Sequence, residues 1–488
     1  MKRIPTFTSR LYAPLRSTFR SLSVAALFAT LAACGGGAAS NEGSKTPAHG
    51  PSGSPQVAEV KKDAQAKFNA ALDAFVEHDK ANDWNDANCA AVAKQFEDAV
   101  SAQGGRFAQA TFNAGLAYQR CNNDKEARAH FEQALREDPK FHNARAQLAL
   151  YQYKQDGNED AAITALQQAV IDAKFQNVPA LVNLGMFQMQ RDSNVAGQGC
   201  NNDFDCAKLN LQRALAIDDA YMPAFNQLAL YYFQLAKKRA GVSAVKSTAR
   251  GSRGRQVTTN AVTVRRADVQ QLELAALVCS QAIRKNANYA PIHNTAGLIQ
   301  NELGQVNGAV SEFAMAAKLD PKFFEAQMNY GSVNLGFRGF EQAQAAFAKV
   351  LQIRPNDYDA HLGMALALRG PITGSEPDYE ARVAAVQAEL DAAKRIDPNR
   401  PDAYFNEGIL IMEFKAKAGA SKEKTVAALD QAAASFKTFL DKAAGKPEYD
   451  AAVHRVKGDG TEKDRGRLGD IEDMKQFLNM DASGGAKR

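Results

Sequence analysis

The chain has 488 residues, of which 45% are hydrophobic and 23% charged. This composition excludes wholesale disorder and allows either several domains or one long repeat array. The formal net charge is +5, but five of the 59 basic residues and no acidic residue lie within positions 1–33. The rest of the chain then has 54 basic and 54 acidic side chains, which excludes polyanion binding through overall charge.

The N-terminus has the pattern of an export signal. Basic residues up to Arg20 precede the apolar run 22–31, which is too short to span a bilayer and ends in small residues before Cys34. The stretch 31–34 (LAAC) resembles a bacterial lipobox, which implies removal of a signal peptide at 1–33 and acylation of the Cys34 thiol. The alternative is a plain secretory signal with an incidental cysteine. Because no Asp follows Cys34, the resemblance implies an outer-membrane anchor facing the periplasm, and this anchor would be the protein's contact with the membrane.

Two segments separate this signal from the main body. Residues 34–58 are rich in Gly, Ser, Pro and Ala, which predicts a flexible tether after the acylated cysteine. Residues 59–107 predict a divergent pair of helices.

The body repeats with a period of 34 residues. Gly115, Tyr118, Ala127, Phe131, Ala134 and Pro139 have offsets that recur from Gly297 and again from Gly331. A small residue lets two helices approach closely, a Phe fills the space between them, and a Pro ends the second helix. The same frame predicts about eight repeats over 108–445, several with insertions, and a capping helix and tail over 446–488.

This period and these residues are similar to the tetratricopeptide repeat (TPR). The resemblance implies an all-α fold, a right-handed superhelical solenoid of antiparallel helix pairs with flanking capping helices. TPR arrays bind protein partners, and lipid-anchored members assist secretin assembly, outer-membrane protein insertion and cell-wall synthesis. The long array with inserted loops looks most like the TPR lipoprotein of the myxobacterial gliding-motility apparatus.

The cysteines after Cys34 predict an oxidising compartment. Cys89 and Cys121 lie near the ends of adjacent predicted helices, so antiparallel packing would bring them together. Cys200 and Cys206 bracket a short inserted loop, where a disulfide would hold the loop closed. Cys279 stands in place of the seam Phe, which predicts a buried residue outside both disulfides. A metal site is the disfavoured alternative, since neither the cysteines nor the histidines have ligand spacing.

By the TPR resemblance, the first helix of each repeat lines a concave groove, and the residue two before the small one faces it. Carboxamides at these positions would hydrogen-bond an extended peptide: Asn113, Gln147, Asn183, Gln227, Asn329 and Asn406. Apolar side chains one turn or more further on would anchor a partner: Tyr153, Met186, Met189 and Phe233. The alternative is that the carboxamides brace helix contacts and the apolar stripe belongs to the core.

The insertion 237–266 has nine basic residues and no acidic one, which is typical of a mobile loop that contacts something acidic. Its basic residues beyond the first three are Lys246, Arg250, Arg253, Arg255, Arg265 and Arg266. The alternative is a solvated loop that has no binding role.

No catalytic or cofactor motif was found, so no enzyme activity, cofactor, metal or small-molecule substrate is expected. The sequence therefore favours a non-catalytic scaffold that binds other envelope proteins and no nucleic acid. The first alternative is a module that binds an anionic polymer such as peptidoglycan through the basic loop. The second is a pilotin-like factor for secretin or outer-membrane assembly.

Overall fold

A computed structural model describes residues 60–81, 83–197, 199–241, 248–250, 256–258, 266–416, 421–461 and 464–484. The predicted signal peptide, Cys34 and the tether lie outside these residues. The chain divides into two compact units, one ending at Ala287 and the other beginning at Asn288.

In the first unit, ten helices occur among the described residues: α1 (Lys62–Ala81), α2 (Asp86–Gln103), α3 (Ala108–Arg120), α4 (Asp124–Glu137), α5 (His142–Asp156), α6 (Glu159–Asp172), α7 (Val178–Arg191), α8 (Asp203–Ile217), α9 (Met222–Gly241) and α10 (Arg266–Lys285). Between α9 and α10, strands β1 (Thr248–Arg250) and β2 (Gln256–Thr258) pair antiparallel, with Ala249 opposite Val257.

In the second unit, the α-helices of the described residues are α11 (Ala290–Glu302), α12 (Val306–Leu319), α13 (Phe324–Gly336), α14 (Phe340–Ile353), α15 (Tyr358–Arg369), α16 (Tyr379–Ile396), α17 (Asp402–Leu410), α18 (Lys422–Ala443), α19 (Asp450–Lys457) and α20 (Gly466–Gly484). A π-helix, Ile411–Lys415, continues α17, and a 3₁₀ turn, Pro447–Tyr449, precedes α19.

Within each unit, helices that follow one another in the chain pack in pairs, and each pair packs on the next. The all-α fold of repeated helix pairs that the sequence predicts is confirmed. Asparagine side chains begin many of the helices in the first unit, because their oxygens accept hydrogen bonds from the otherwise unpaired amides of the first turn. These residues are Asn85, Asn123, Asn158, Asn177 and Asn202.

Inside most pairs, a small residue of the first helix faces a large residue of the second. A Cβ added to Gly115 would lie 2.6 Å from the ring of Phe131, and one added to Gly297 would lie equally close to Phe313. Where the small residue is Ala149 or Ala365, the partner position in the frame holds Leu166 or Leu390 instead of Phe. These two repeats keep the summed volume of the pair, as close packing requires, whereas Gly185 faces the smaller Leu211.

The C-terminal end differs from the single capping helix that the sequence predicts. Two helices follow the last pair, and Ile471 of α20 is buried in a cluster that includes Phe436 and Phe439. The opposite face of α20 leaves Phe477 62% exposed. The helix thus covers the last pair with one face only.

Candidate functional site

Most of the carboxamides predicted to line the groove are buried. Gln147, Asn183, Gln227 and Asn406 are each less than 9% exposed, while Asn113 and Asn329 are half-buried. They lie on the first helices of their pairs, and little of their surface is open to a partner.

Three of these side chains connect the first helices of neighbouring pairs. The Gln119 amide of α3 donates to the Gln147 oxygen of α5 at 3.4 Å, and Asn329 of α13 donates to Asn294 of α11 at 2.8 Å. The Asn406 oxygen of α17 accepts from the Arg369 guanidinium of α15 at 3.1 Å. These bonds favour the interpretation in which the amides brace the array, because a buried amide needs such partners.

The predicted apolar anchors are buried, which favours the alternative in which the apolar stripe belongs to the core. Tyr153, Met186, Met189 and Phe233 are 6%, 9%, 5% and 3% exposed. The first three lie in one core cluster that runs through α5 to α9, where Tyr153 meets the ring of Phe187 at 4.7 Å. Residues three to four apart share one helix face, and here that face turns toward the next helix pair.

The cysteines lie as predicted. Cys89 at the start of α2 and Cys121 at the end of α3 form a disulfide with their Cα atoms 6.4 Å apart. Cys200 and Cys206 form the other, with a Cα separation of 5.0 Å, and Cys279 is buried within α10.

Part of the basic insertion lies within the described residues. Arg250 ends β1 and Arg266 begins α10, while Lys246, Arg253, Arg255 and Arg265 lie outside. At the start of the insertion, the Lys237 ammonium lies 4.5 Å from the centre of the Phe233 ring, and that of Lys238 lies 3.9 Å from Phe204. Lys238 also pairs with Asp192. These two cations are therefore used within the fold.

The second unit contains a cleft that the sequence did not predict. It has a volume of about 750 Å³ and lies between the α15–α16 connection and the π-helix that follows α17. Its lining residues are Thr373, Gly374, Pro377, Asp378, Tyr379, Glu380, Ala381, Glu413 and Phe414. The insertions in these two repeats were the available signal, but no periodic pattern in them predicts a cavity.

Hydrogen bonds hold the cleft in shape. The Tyr379 hydroxyl donates to the backbone oxygen of Phe414 at 2.9 Å, which ties one wall to the other. Behind the lining, the Glu376 carboxylate accepts from the backbone amides of Thr373 and Gly374 at 2.6 and 2.9 Å and from the Thr373 hydroxyl at 2.7 Å. These bonds lower the pKa of Glu376 to about 2, so it is ionised at any physiological pH.

Arginines neutralise part of the acidic charge around the cleft from outside its lining. Asp378 accepts from Arg382 at 2.7 Å, which lowers the pKa of the aspartate. Glu413 accepts from Arg467 of α20 at 2.9 Å. Burial lowers the pKa of Arg369 to about 10, although the nearby Glu413 opposes that shift.

A smaller cavity of about 460 Å³ lies between α4 and α5. Its charges are mixed and already paired, with Arg128 bound to Glu132 at 2.8 Å and Lys154 bound to Asp124. The mixture gives no preference for one sign of ligand.

Across the described part of the chain, no three His, Cys, Asp or Glu side chains are grouped so as to hold a metal ion. No helix in that part is both long and apolar enough to cross a bilayer.

Comparison with known proteins adds a family match and several structural likenesses. A family model described as "Tetratricopeptide repeat" matches residues 108–141, which are α3 and α4. Among solved structures, a TPR protein of Thermus thermophilus, TTC0263, is 23% identical over 46% of this chain and 98% of its own, with a TM-score of 0.35. No curated protein matches the sequence.

Two further solved structures are similar over about half of the chain. PilF of Pseudomonas aeruginosa is 18% identical over 57% of this chain and 96% of its own, with a TM-score of 0.37. MamA of Desulfovibrio magneticus is 16% identical over 44% of this chain and 97% of its own, with a TM-score of 0.30. From the helix pairs and the family match, the chain is an all-α helical-repeat protein that carries a tetratricopeptide repeat at 108–141, a repeat that commonly serves protein interaction.

Proposed function

We propose that this chain is an exported, lipid-anchored, non-catalytic scaffold that assembles protein partners in a bacterial envelope machine. The observation that carries the proposal is the presence of two disulfides within a helical-repeat array. Disulfides persist in oxidising compartments and are rare in the cytosol. Repeat arrays present long surfaces to protein partners, so the combination supports a scaffold outside the cytoplasm.

The proposed anchor is an acylated Cys34 in the outer membrane, with the scaffold facing the periplasm. The following 24 residues, 35–58, would give the folded part a root-mean-square reach of roughly 25–30 Å if they are flexible. Such a tether would let the array meet partners close to the membrane without fixing its orientation.

Membrane fractionation tests the anchor. Cys34→Ala should move the protein from the membrane pellet to the soluble fraction, while Gly36→Ala, which keeps the cysteine, should stay in the pellet. A Cys34→Ala protein that remains in the membrane would overturn lipid anchoring and point to attachment through a partner.

Thiol alkylation tests the compartment. In the unfolded but unreduced protein taken from cells, Cys89, Cys121, Cys200 and Cys206 should resist labelling, and all four should react after reduction. The Cys89–Cys121 bond should contribute about 3–4 kcal/mol to the free energy of unfolding and the shorter loop about 2 kcal/mol. Labelling of all four without reduction would remove the support that the cysteines give to export.

The proposed pathway is gliding motility. The reason is that the long array with inserted loops resembles the TPR lipoprotein of the gliding-motility apparatus. Pull-down at physiological and high salt distinguishes protein assembly from the two alternatives. A complex of motility proteins should persist at high salt, whereas binding of peptidoglycan through the basic loop should fall steeply. Co-purification of a secretin in place of motility proteins would favour the pilotin-like role.

A further inference from the structure

We propose that the cleft between the α15–α16 connection and the π-helix binds a lysine- or arginine-rich peptide segment of a partner protein. This inference rests on the proposed scaffold function and names the kind of partner segment that one of its surfaces would take. It concerns only the second unit.

The cleft is formed by the two places where consecutive repeats depart from the 34-residue frame. The connection 370–378 is longer than the turn between α11 and α12, which occupies 303–305. In the next repeat, the first helix continues as the π-helix Ile411–Lys415, where the Ala416 amide donates to the Ile411 oxygen at 2.9 Å. Such π-turns are uncommon and often occur at functional sites.

The lining combines aromatic rings with charge of one sign. Tyr379 and Phe414 provide the rings, and Asp378, Glu380 and Glu413 are the three charged residues that line the cleft. Asp378 is paired with Arg382 and Glu413 with Arg467, which leaves the exposed Glu380 as the lining carboxylate outside these two ion pairs. A cation of the peptide would bind at Glu380 and compete with the two arginines for the other carboxylates. An aromatic face attracts a cation through its quadrupole, and a carboxylate adds direct attraction. No Lys or Arg is among the lining residues, so the lining itself has no cation to bind an anionic segment.

The size of the cleft favours a peptide over a single ion. The cleft is open to solvent and has a volume of about 750 Å³, which admits several residues of an extended chain. The Tyr379–Phe414 bond joins the two walls, and the Glu376 hydrogen bonds fix the turn at residues 373–376, before any ligand arrives. Because the site is already formed, little of the binding free energy is lost in ordering it.

Fluorescence anisotropy with a labelled peptide tests this site. The probe is a hexalysine peptide with glycine–serine spacers, and the same peptide with glutamate in place of lysine is the sign control. The lysine peptide should bind the purified wild-type protein, and Glu380→Gln with Glu413→Gln should weaken that binding by about tenfold or more, the scale of hydrogen bonds to charged groups. Glu341→Gln with Asp441→Asn, which change the same charge at exposed positions elsewhere in this unit, should change affinity less than twofold.

A second variant keeps the proposal testable if the first one folds poorly. Ala381→Lys puts a cation into the lining at an exposed position and should abolish binding, while Ala345→Lys on α14, also exposed, should not. Equal weakening by the site and control variants would show attraction to overall charge only and overturn the proposal, as would binding of the glutamate peptide. Neither result affects the Cys34 fractionation, so the scaffold proposal stands or falls separately.

Discussion

Arg191 donates one hydrogen bond to each carboxylate oxygen of Asp203, both at 2.7 Å, across the connection 192–202, which the Cys200–Cys206 disulfide joins to α8. Asp203 is 1% exposed and also accepts from the amide and hydroxyl of Ser193 at 2.9 and 2.7 Å. The ion pair therefore fixes the end of α7 to the start of α8.

Removing the arginine should destabilise the protein. Arg191→Gln leaves a buried carboxylate with only the Ser193 donors, and the loss should be about 3 kcal/mol, at the low end for a broken buried pair. Urea unfolding measures this loss in the free energy of unfolding. Arg128→Gln, which breaks an exposed pair with Glu132, should cost less than about 1 kcal/mol. Equal losses in the two variants would contradict a special role for Arg191.

The same pair predicts a pH dependence. Burial alone would raise the pKa of Asp203, but the hydrogen bonds from Arg191 and Ser193 outweigh it and hold the pKa below its usual value. A depressed pKa in the folded state stabilises the protein above the unfolded value of about 3.9, and this contribution disappears as the pH falls through the folded value. The difference in unfolding free energy between wild type and Arg191→Gln should therefore be constant from pH 5 to 7 and shrink below about pH 4. A gap that grows on acidification would have the wrong sign.

The 34-residue frame could be predicted because packing imposes it on side-chain volume. A Gly facing a Phe, or an Ala facing a Leu, leaves a mark in the sequence at a fixed spacing, as at Gly297 and Phe313. The disulfides were predicted on other grounds, since Cys89 and Cys121 lie near the ends of adjacent helices and Cys200 and Cys206 bracket a short inserted loop. The cleft could not be predicted from the repeat, because it is formed by insertions and a π-turn that interrupt the 34-residue period.

Spacing alone could not show whether the helix face that carries Met186 and Met189 is exposed or buried. Met186 and Met189 have the spacing of a surface stripe, but the same spacing serves a face that packs on the next helix pair. Burial depends on how closely neighbouring pairs approach, and one repeat's sequence does not contain that distance.

Two glycines of α13 test how closely this helix packs against α14. A Cβ on Gly331 would lie 2.9 Å from the ring of Phe347, whereas one on Gly336 meets no atom within 4 Å. Gly331→Ala should therefore cost about 1–3 kcal/mol through overpacking, and Gly336→Ala should be neutral or stabilise the protein by up to about 1 kcal/mol through helix propensity. Thermal unfolding of the two variants checks this. Similar melting temperatures would show that the Phe347 ring moves aside at no cost.

Charge introduced into the apolar cluster separates a core from a binding surface. Met186→Asp with Phe233→Asp places carboxylates where 9% and 3% of the native side chains are exposed, so each should cost roughly 3–5 kcal/mol of stability. Circular dichroism should show lost helicity or a much lower melting temperature. Gln152→Asp with Gln155→Asp, at exposed positions of α5, should keep the native spectrum and melting curve. A helical, stable Met186→Asp, Phe233→Asp protein would contradict the burial described here and return these residues to a surface that a partner can reach.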